Sequence, residues 1–169
     1  LMAQVVLLTG GNLGPVAENL EAASREIARE VGPVVDRSSV RESEAWGFEA
    51  KERFLNQVLV VETELDPREV LRRCQRIEQH FGRVRYPGQG YASRTMDIDI
   101  LFYDRRIIDM PDLRIPHPLI GERDFVLAPL EEIMGNFIHP VSGCTIRQMR
   151  RSLQERDARG ELSPSNDRK

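Results

Sequence analysis

Two segments with helical spacing of apolar residues, set among runs with strand alternation, restrict the architecture of this chain more than any other feature. Val16, Leu20, Ala23, Ile27 and Val31 share one stripe of the first, and Val70, Leu71, Cys74, Ile77 and Phe81 one stripe of the second. The first helix follows a short apolar strand over residues 4–9 and the turn Gly10-Gly11-Asn12-Leu13-Gly14-Pro15, and it ends at Gly32-Pro33. Asp66 as N-cap and Pro67 at the first position open the second, and Gly82 closes it. Between the helices, residues 34–43 read as a polar strand near an edge and residues 54–65 as a long strand. The connection 44–53 holds Trp46 and Phe48, a flap or, as is more common, a plug against the core.

A further strand is expected from Met96 to Tyr103, which makes the order strand, helix, strand, strand, helix, strand. That order is α+β: a ferredoxin-like βαββαβ sandwich with an antiparallel sheet and two helices on one face. A C-terminal extension follows, with a hairpin of residues 106–108 and 113–115, a helix over 126–134 and a last helix over 145–154. At 169 residues the chain suits a single domain, here 1–155, with a polar tail, 156–169, expected to be disordered. This fold serves many activities and selects none.

Net charge excludes one class of function. At −3 the chain has no global field for gathering nucleic acid, so any anion must be held by a local cluster. No apolar run approaches the ~20 residues of a membrane span. The run Val5-Val6-Leu7-Leu8 is too short for a signal-peptide core and lacks a basic leader, and Leu1 ahead of Met2 reads as a cloning remnant. Cys74 and Cys144 lie far apart without zinc-ligand spacing, which leaves a disulfide open but makes two thiols in a reducing cytosol simpler. A cytoplasmic protein is expected.

The chemistry concentrates in residues 94–103. Alternation places Met96, Ile98, Ile100 and Phe102 on one face and Asp97, Asp99, Leu101 and Tyr103 on the other. The two aspartates then stand about 6.6 Å apart along the strand. Ionised together, they repel by about 2–3 kcal/mol at an effective dielectric near 20. A divalent cation reverses that sign, and Mg²⁺ favours one or two carboxylates with phosphate oxygens and water. Alone, the pair is as well explained by a solvated strand face. Arg83, Arg85 and Arg94, around a glycine-containing loop just upstream, tilt the balance towards a metal–nucleotide site. Phe54 and Asn56, two apart on one strand face, suit a flat heterocycle by stacking and edge hydrogen bonds, although a locally satisfied asparagine is the commoner case. The glycine turn at 10–14 is compatible with phosphate contact, as any tight strand–helix turn is.

Taken together, the segments Gly10-Gly11-Asn12-Leu13-Gly14, Phe54-Leu55-Asn56, Gln75-Arg76-Ile77-Glu78 with Gly82-Arg83-Val84-Arg85, Arg94-Thr95-Met96-Asp97-Ile98-Asp99, Pro116-His117 and Arg123-Asp124-Phe125 resemble the 6-hydroxymethyl-7,8-dihydropterin pyrophosphokinases of folate synthesis, over roughly residues 4–155. The resemblance implies transfer of pyrophosphate from ATP to the pterin hydroxymethyl oxygen, with release of AMP. It implies two Mg²⁺ ions on Asp97 and Asp99, and catalytic roles for these two with Arg83, Arg85 and Arg94. Gln75, Glu78, Arg85, Arg94, Ile98, His117 and Arg123 would meet ATP, with Ile98 at the adenine. Ser43, Glu44, Trp46, Phe54, Asn56 and Phe125 would hold the pterin, the two phenylalanines sandwiching its ring. ATP and the pterin are then the partners of a monomer that binds neither nucleic acid nor membrane. The chain departs from the family pattern at Ser43, where threonine is usual, at Glu44, where proline is common, at Gly11, which replaces serine, and at Arg41, whose place is often aromatic.

Two rivals use the same features. A nucleotidyltransferase also places Asp-x-Asp on a strand, but its Gly-Ser signature lies shortly before the acids, and here the glycine turn is far upstream. A non-catalytic sensor on this fold has no need of paired acids ringed by arginines.

Overall fold

The computed structural model of the chain describes residues 1–46, 51–82 and 96–160. In chain order these form β1 (Ala3–Gly11), α1 (Val16–Glu30), β2 (Val34–Arg37), β3 (Arg41–Trp46), β4 (Lys51–Thr63), α2 (Pro67–His80), β5 (Asp97–Tyr103), β6 (Ile108–Met110), β7 (Leu113–Ile115), α3 (Asp124–Met134) and α4 (Ile146–Ala158). The main sheet runs β2–β4–β1–β5, with β3 also paired to β4, and every pairing is antiparallel. This is the ferredoxin-like arrangement that the order of segments implies.

Strand β1 is central because it is apolar on both faces. Val5 and Leu7 join Leu20, Ala23 and Ile27 of α1 and Val70, Cys74 and Ile77 of α2 in one core. Val6 and Leu8 join Val126, Leu127 and Leu130 of α3 and Ile146 and Leu153 of α4 in a second. The C-terminal extension therefore covers the sheet face that α1 and α2 leave open. Gly32 lets the chain pass tightly from α1 to β2, since a Cβ there would sit 1.9 Å from the Glu62 carbonyl oxygen.

Several boundaries differ from those expected. Residues 34–43 make two strands, because buried Ser38 interrupts the ladder. Its N–H donates to the Val58 carbonyl at 2.9 Å, and its hydroxyl accepts from the Val58 N–H at 2.9 Å. The connection expected over 44–53 is largely hairpin, with β3 extending to Trp46 and β4 starting at Lys51, in register Ser43 to Phe54 and Glu44 to Arg53. In the small hairpin the first strand lies two residues later than expected, over Ile108–Met110. Helix α3 starts two residues early, and α4 runs on to Ala158, into the segment expected to be tail. Its start follows the sequence closely, with Thr145 and Gln148 forming a capping box. Its end is held by Arg156, which donates to the Gly121 carbonyl at 3.0 Å.

Strand β5 does not alternate cleanly to its end. Its register with β1 shifts between Val6 and Leu7, so Leu7 pairs with Ile100 and Val6 with Phe102. The extra residue, Leu101, exchanges the faces that follow. Met96, Ile98, Ile100 and Tyr103 join the α1–α2 core, whereas Leu101 and Phe102 join the α3–α4 core. The expected positions of Phe102 and Tyr103 are thus reversed. Phe102 packs on Phe137 with ring centroids 4.8 Å apart, and the Tyr103 hydroxyl donates to the Leu65 carbonyl at 2.6 Å.

Candidate active site

On the face turned towards α3, strand pairing sets four residues in one row. Arg41 lies opposite Asn56, Asn56 opposite Gly10, and Gly10 opposite Asp97. At roughly 4.8 Å between neighbouring strands, Asn56 and Asp97 stand about 10 Å apart with a glycine between them. Gly10 is here a strand residue and not part of a phosphate-cradling turn. A Cβ on it would meet Asn56 Nδ2 at 2.0 Å, so the missing side chain makes room for the asparagine amide. Asn56 is buried and donates one amide N–H to the Thr9 carbonyl at 3.3 Å.

Asp97 and Asp99 share that face and are both half-buried, flanking Ile98, whose side chain is committed to the α1–α2 core. The Ile98 N–H donates at 2.8 Å to the carboxylate of Glu78, which is only 2% exposed. Glu78 is not among the apolar stripe residues of α2; the peptide it accepts from β5 draws it in. Gln75, one turn earlier, is exposed. Cys74 is a core thiol, pushed up to about 12 by burial, with Glu78 and Asp99 adding to the effect. Among the described residues no group of three or more histidines, cysteines, aspartates or glutamates is arranged to hold a metal ion by itself. The donor set at Asp97 and Asp99 is therefore two carboxylates beside a glycine, which fits Mg²⁺ that draws its other ligands from phosphates and water.

His117 follows the cis Ile115–Pro116 bond, and its N–H donates to the Leu101 carbonyl at 3.0 Å, laying it along the outer side of β5. Burial lowers its ring to a pKa of about 4; the positive charge of Arg123 adds to this and Asp97 opposes it. The ring is neutral near pH 7. Its Nδ1 accepts from the Leu119 N–H at 3.3 Å, which puts the proton on Nε2 as a donor. Arg123 precedes α3 and lies over the Phe125 ring, 5.6 Å from its centroid.

Between the β3–β4 hairpin and α3 is a cavity of about 230 Å³ lined by Arg41, Glu42, Ser43, Glu44, Asn56, Asp124, Phe125, Ala128 and Pro129. It brings together four of the six residues expected around the pterin: Ser43, Glu44, Asn56 and Phe125. Phe54 is buried, two residues along the same strand face as Asn56, without lining the cavity. Pairing across the hairpin puts Arg41 and Ser43 on the cavity face. Glu42 and Glu44 lie on the opposite one, where Glu42 meets Arg53 at 3.2 Å. The wall is tied together by two acids of α3. Glu132 accepts from the Ser39 N–H at 2.6 Å, the Ser39 hydroxyl at 2.7 Å and Arg41 Nη1 at 3.4 Å, and the Ser39 hydrogen bonds hold its carboxyl below the usual range. Asp124 accepts from Arg150 Nε at 2.9 Å, which docks α4 on α3. Sequence reasoning did not find Ser39, Arg41 or Glu132 as parts of this wall. The pairing of the second strand with the third, which would have placed Arg41 opposite Asn56, was hidden by the break at Ser38, and no spacing rule ties Glu132 on α3 to Ser39. Arg83, Arg85 and Arg94, and the side chain of Trp46, lie outside the described residues.

Comparison with known proteins supports one family. A profile described as 7,8-dihydro-6-hydroxymethylpterin-pyrophosphokinase matches residues 6–135, more than half of the chain. The chain is 40% identical over 141 residues to a 2-amino-4-hydroxy-6-hydroxymethyldihydropteridine pyrophosphokinase of Synechocystis sp., covering 83% of this chain and 71% of that one. It is 39% identical over 141 residues to the enzyme of the same name from Aquifex aeolicus, covering 83% and 86%. Among solved structures, Plasmodium falciparum HPPK-DHPS with SDX-DHP superposes with a TM-score of 0.73 at 15% identity, a likeness of fold. The match covers 96% of this chain but 45% of that one, so the chain spans under half of its length.

Proposed function

Because the chain belongs to the 7,8-dihydro-6-hydroxymethylpterin-pyrophosphokinase family, we propose that the row from Asn56 through Gly10 to Asp97 is the axis of its active site. The enzyme uses ATP to transfer a pyrophosphoryl group to the hydroxymethyl group of the pterin in folate biosynthesis. The pterin occupies the cavity between the β3–β4 hairpin and α3, stacked on Phe125 and read along its edge by Asn56, Ser43 and the Glu44 backbone. Phe54, two residues along the same strand face as Asn56, is the second ring of the sandwich. ATP lies along β5, its triphosphate beside Asp97 and Asp99. These two would hold two Mg²⁺ ions, which when bound would neutralise phosphate charge that otherwise repels the incoming oxygen.

The protein's own part is placement. Attack in line on the β-phosphorus needs the hydroxymethyl oxygen and the triphosphate brought together from the two ends of one row. His117, neutral with its proton on Nε2, donates a hydrogen bond to phosphate, and Arg123 adds charge at the N-terminus of α3. Arg83, Arg85 and Arg94 complete the phosphate grip. Ile98 meets the adenine through the backbone edge of β5, because its side chain is in the core. Glu78 pins that edge, and Gln75 lies nearby on α2. All of these belong to one chain, so a monomer is the working unit.

The carrying observation is that Gly10 pairs with both Asn56 and Asp97, which joins the heterocycle cavity to the acidic pair. Incubation with Mg²⁺, ATP and the hydroxymethyl dihydropterin tests the reading. AMP and the pterin diphosphate are expected; release of free pyrophosphate with nucleotide transfer, or binding without turnover, would refute it.

A further inference from the structure

Arg41 lines the heterocycle cavity. It is the cross-strand partner of Asn56, and its guanidinium is held at one end, Nη1 lying 3.4 Å from Glu132 Oε1. That carboxylate is itself fixed by the two shorter bonds from Ser39. A guanidinium carries five N–H donors in a rigid plane and no acceptor, so anchoring one end leaves the rest of the fork to point along the wall. The Arg41 side chain is 42% exposed, as a group opening onto a cavity would be. Asn56 beside it donates an amide N–H to the Thr9 carbonyl at 3.3 Å.

We propose that Arg41 is a specificity-determining residue of the heterocycle site, donating N–H groups to a ring carbonyl oxygen or ring nitrogen of the bound bicycle, and that Glu132 is its positioning residue. The proposal rests on the assignment of this cavity to the pterin. Because arginine can only donate, the site selects rings whose facing atoms are acceptors. Glu132 acts through Arg41: its carboxylate sets the guanidinium angle and makes no contact with substrate.

The test is calorimetry with the hydroxymethyl dihydropterin, in the presence of saturating Mg²⁺ and a non-hydrolysable ATP analogue, on the parent chain, Arg41→Met, Arg41→Lys, Glu132→Gln and the double variant Arg41→Met/Glu132→Gln. Arg41→Met is expected to weaken pterin affinity by about tenfold, the scale of one hydrogen bond from a charged group. Arg41→Lys should recover part of the loss, and Glu132→Gln should lose less than Arg41→Met. The double variant should bind as Arg41→Met does, since removing a positioning group costs nothing once its client has gone. Affinity for the ATP analogue and the urea unfolding midpoint should match the parent for Arg41→Met, which separates recognition from damage to the fold. Parent-like pterin affinity in Arg41→Met overturns the proposal. Equal losses in Arg41→Met and Glu132→Gln overturn it too, because they describe only a tie between β3 and α3. Failure of the parent chain to bind pterin at all would instead strike the assignment of the cavity.

Discussion

Asn56 occupies the space in which Gly10 would carry a side chain: an added Cβ falls 2.0 Å from the asparagine Nδ2. The two residues are direct partners across β1 and β4, so no side chain can be added at Gly10 without moving the amide. A methyl group at Gly10 must push the amide out of the row that leads to Asp97. Gly10→Ala should therefore raise the KM for pterin by about tenfold or more while changing that for ATP by less than about threefold, in the manner of a lost buried hydrogen bond. Asn56→Ala should do the same. Steady-state kinetics with each substrate varied in turn distinguishes this from a general loss of activity, which would lower kcat and leave both KM values alone.

The repulsion between Asp97 and Asp99 gives a second expectation. Without metal, Asp97→Ala removes a like-charge neighbour of Asp99 and should still fold, as read by circular dichroism. With Mg²⁺ and ATP its turnover should fall by roughly a hundredfold or more. Binding to the folded state alone raises stability by mass action, so Mg²⁺ with an ATP analogue should raise the parent's melting temperature and leave that of the variant nearly unmoved. Equal thermal shifts in the two proteins would remove Asp97 from the metal site.

Burial of His117 predicts a pH dependence of stability. Its folded pKa, about 4, lies below the ordinary value of 6.5, so between those values the unfolded chain binds the proton and the folded chain does not. Stability contributed by the neutral ring is fully present above pH 6.5 and is lost as pH falls towards 4. The loss amounts to about 3 kcal/mol at most. His139, likewise lowered by burial, contributes a slope of the same sign. His117→Asn should flatten the fall in urea-derived stability between pH 7 and 4.5 without abolishing it. An unchanged slope would mean that the ring is already charged or freely solvated in the folded chain.

Glu78 holds β5 by the peptide that separates the two acids. Glu78→Ala leaves the Ile98 N–H, which is buried, without its 2.8 Å acceptor and should destabilise the chain by about 2–3 kcal/mol. Glu78→Gln keeps an accepting oxygen and should cost less. Urea titration read by circular dichroism measures both, and a midpoint for Glu78→Ala equal to that of the parent would show that the contact does not hold the strand.

The order of secondary elements and the stripes of α1 and α2 were legible because period alone carries them. Leu20, Ala23, Ile27, Val70, Cys74 and Ile77 are buried as that period requires. The pairing of Asp97 with Asp99 and of Phe54 with Asn56 on shared faces was legible for the same reason. What period cannot report is an interruption. Ser38 reads as one more polar residue in an edge strand, yet its hydroxyl takes over a ladder bond from Val58 and splits the strand in two. Leu101 reads as one more apolar residue in a regular strand, and only pairing with β1 shows that it is an insertion. The burial of Glu78 was not legible because a charge on a helix reads as a solvated one; the N–H that makes its burial tolerable belongs to a residue twenty positions away. Phe125 could be tied to Asn56 only through resemblance, because no spacing rule connects the start of α3 to a strand so far upstream.

The shift at Leu101 has a consequence for how this strand tolerates length change. Upstream of it the side chains facing α3 are carboxylates, and downstream they are hydrocarbon. Deleting that one leucine would bring the strand into simple step with β1, leaving Phe102 opposite Val6 on the side of Phe137 and Tyr103 opposite Val5 on the side of Leu65. Both layers would keep their anchors, so at this one position the strand can give up a residue and lose only the packing of the leucine itself.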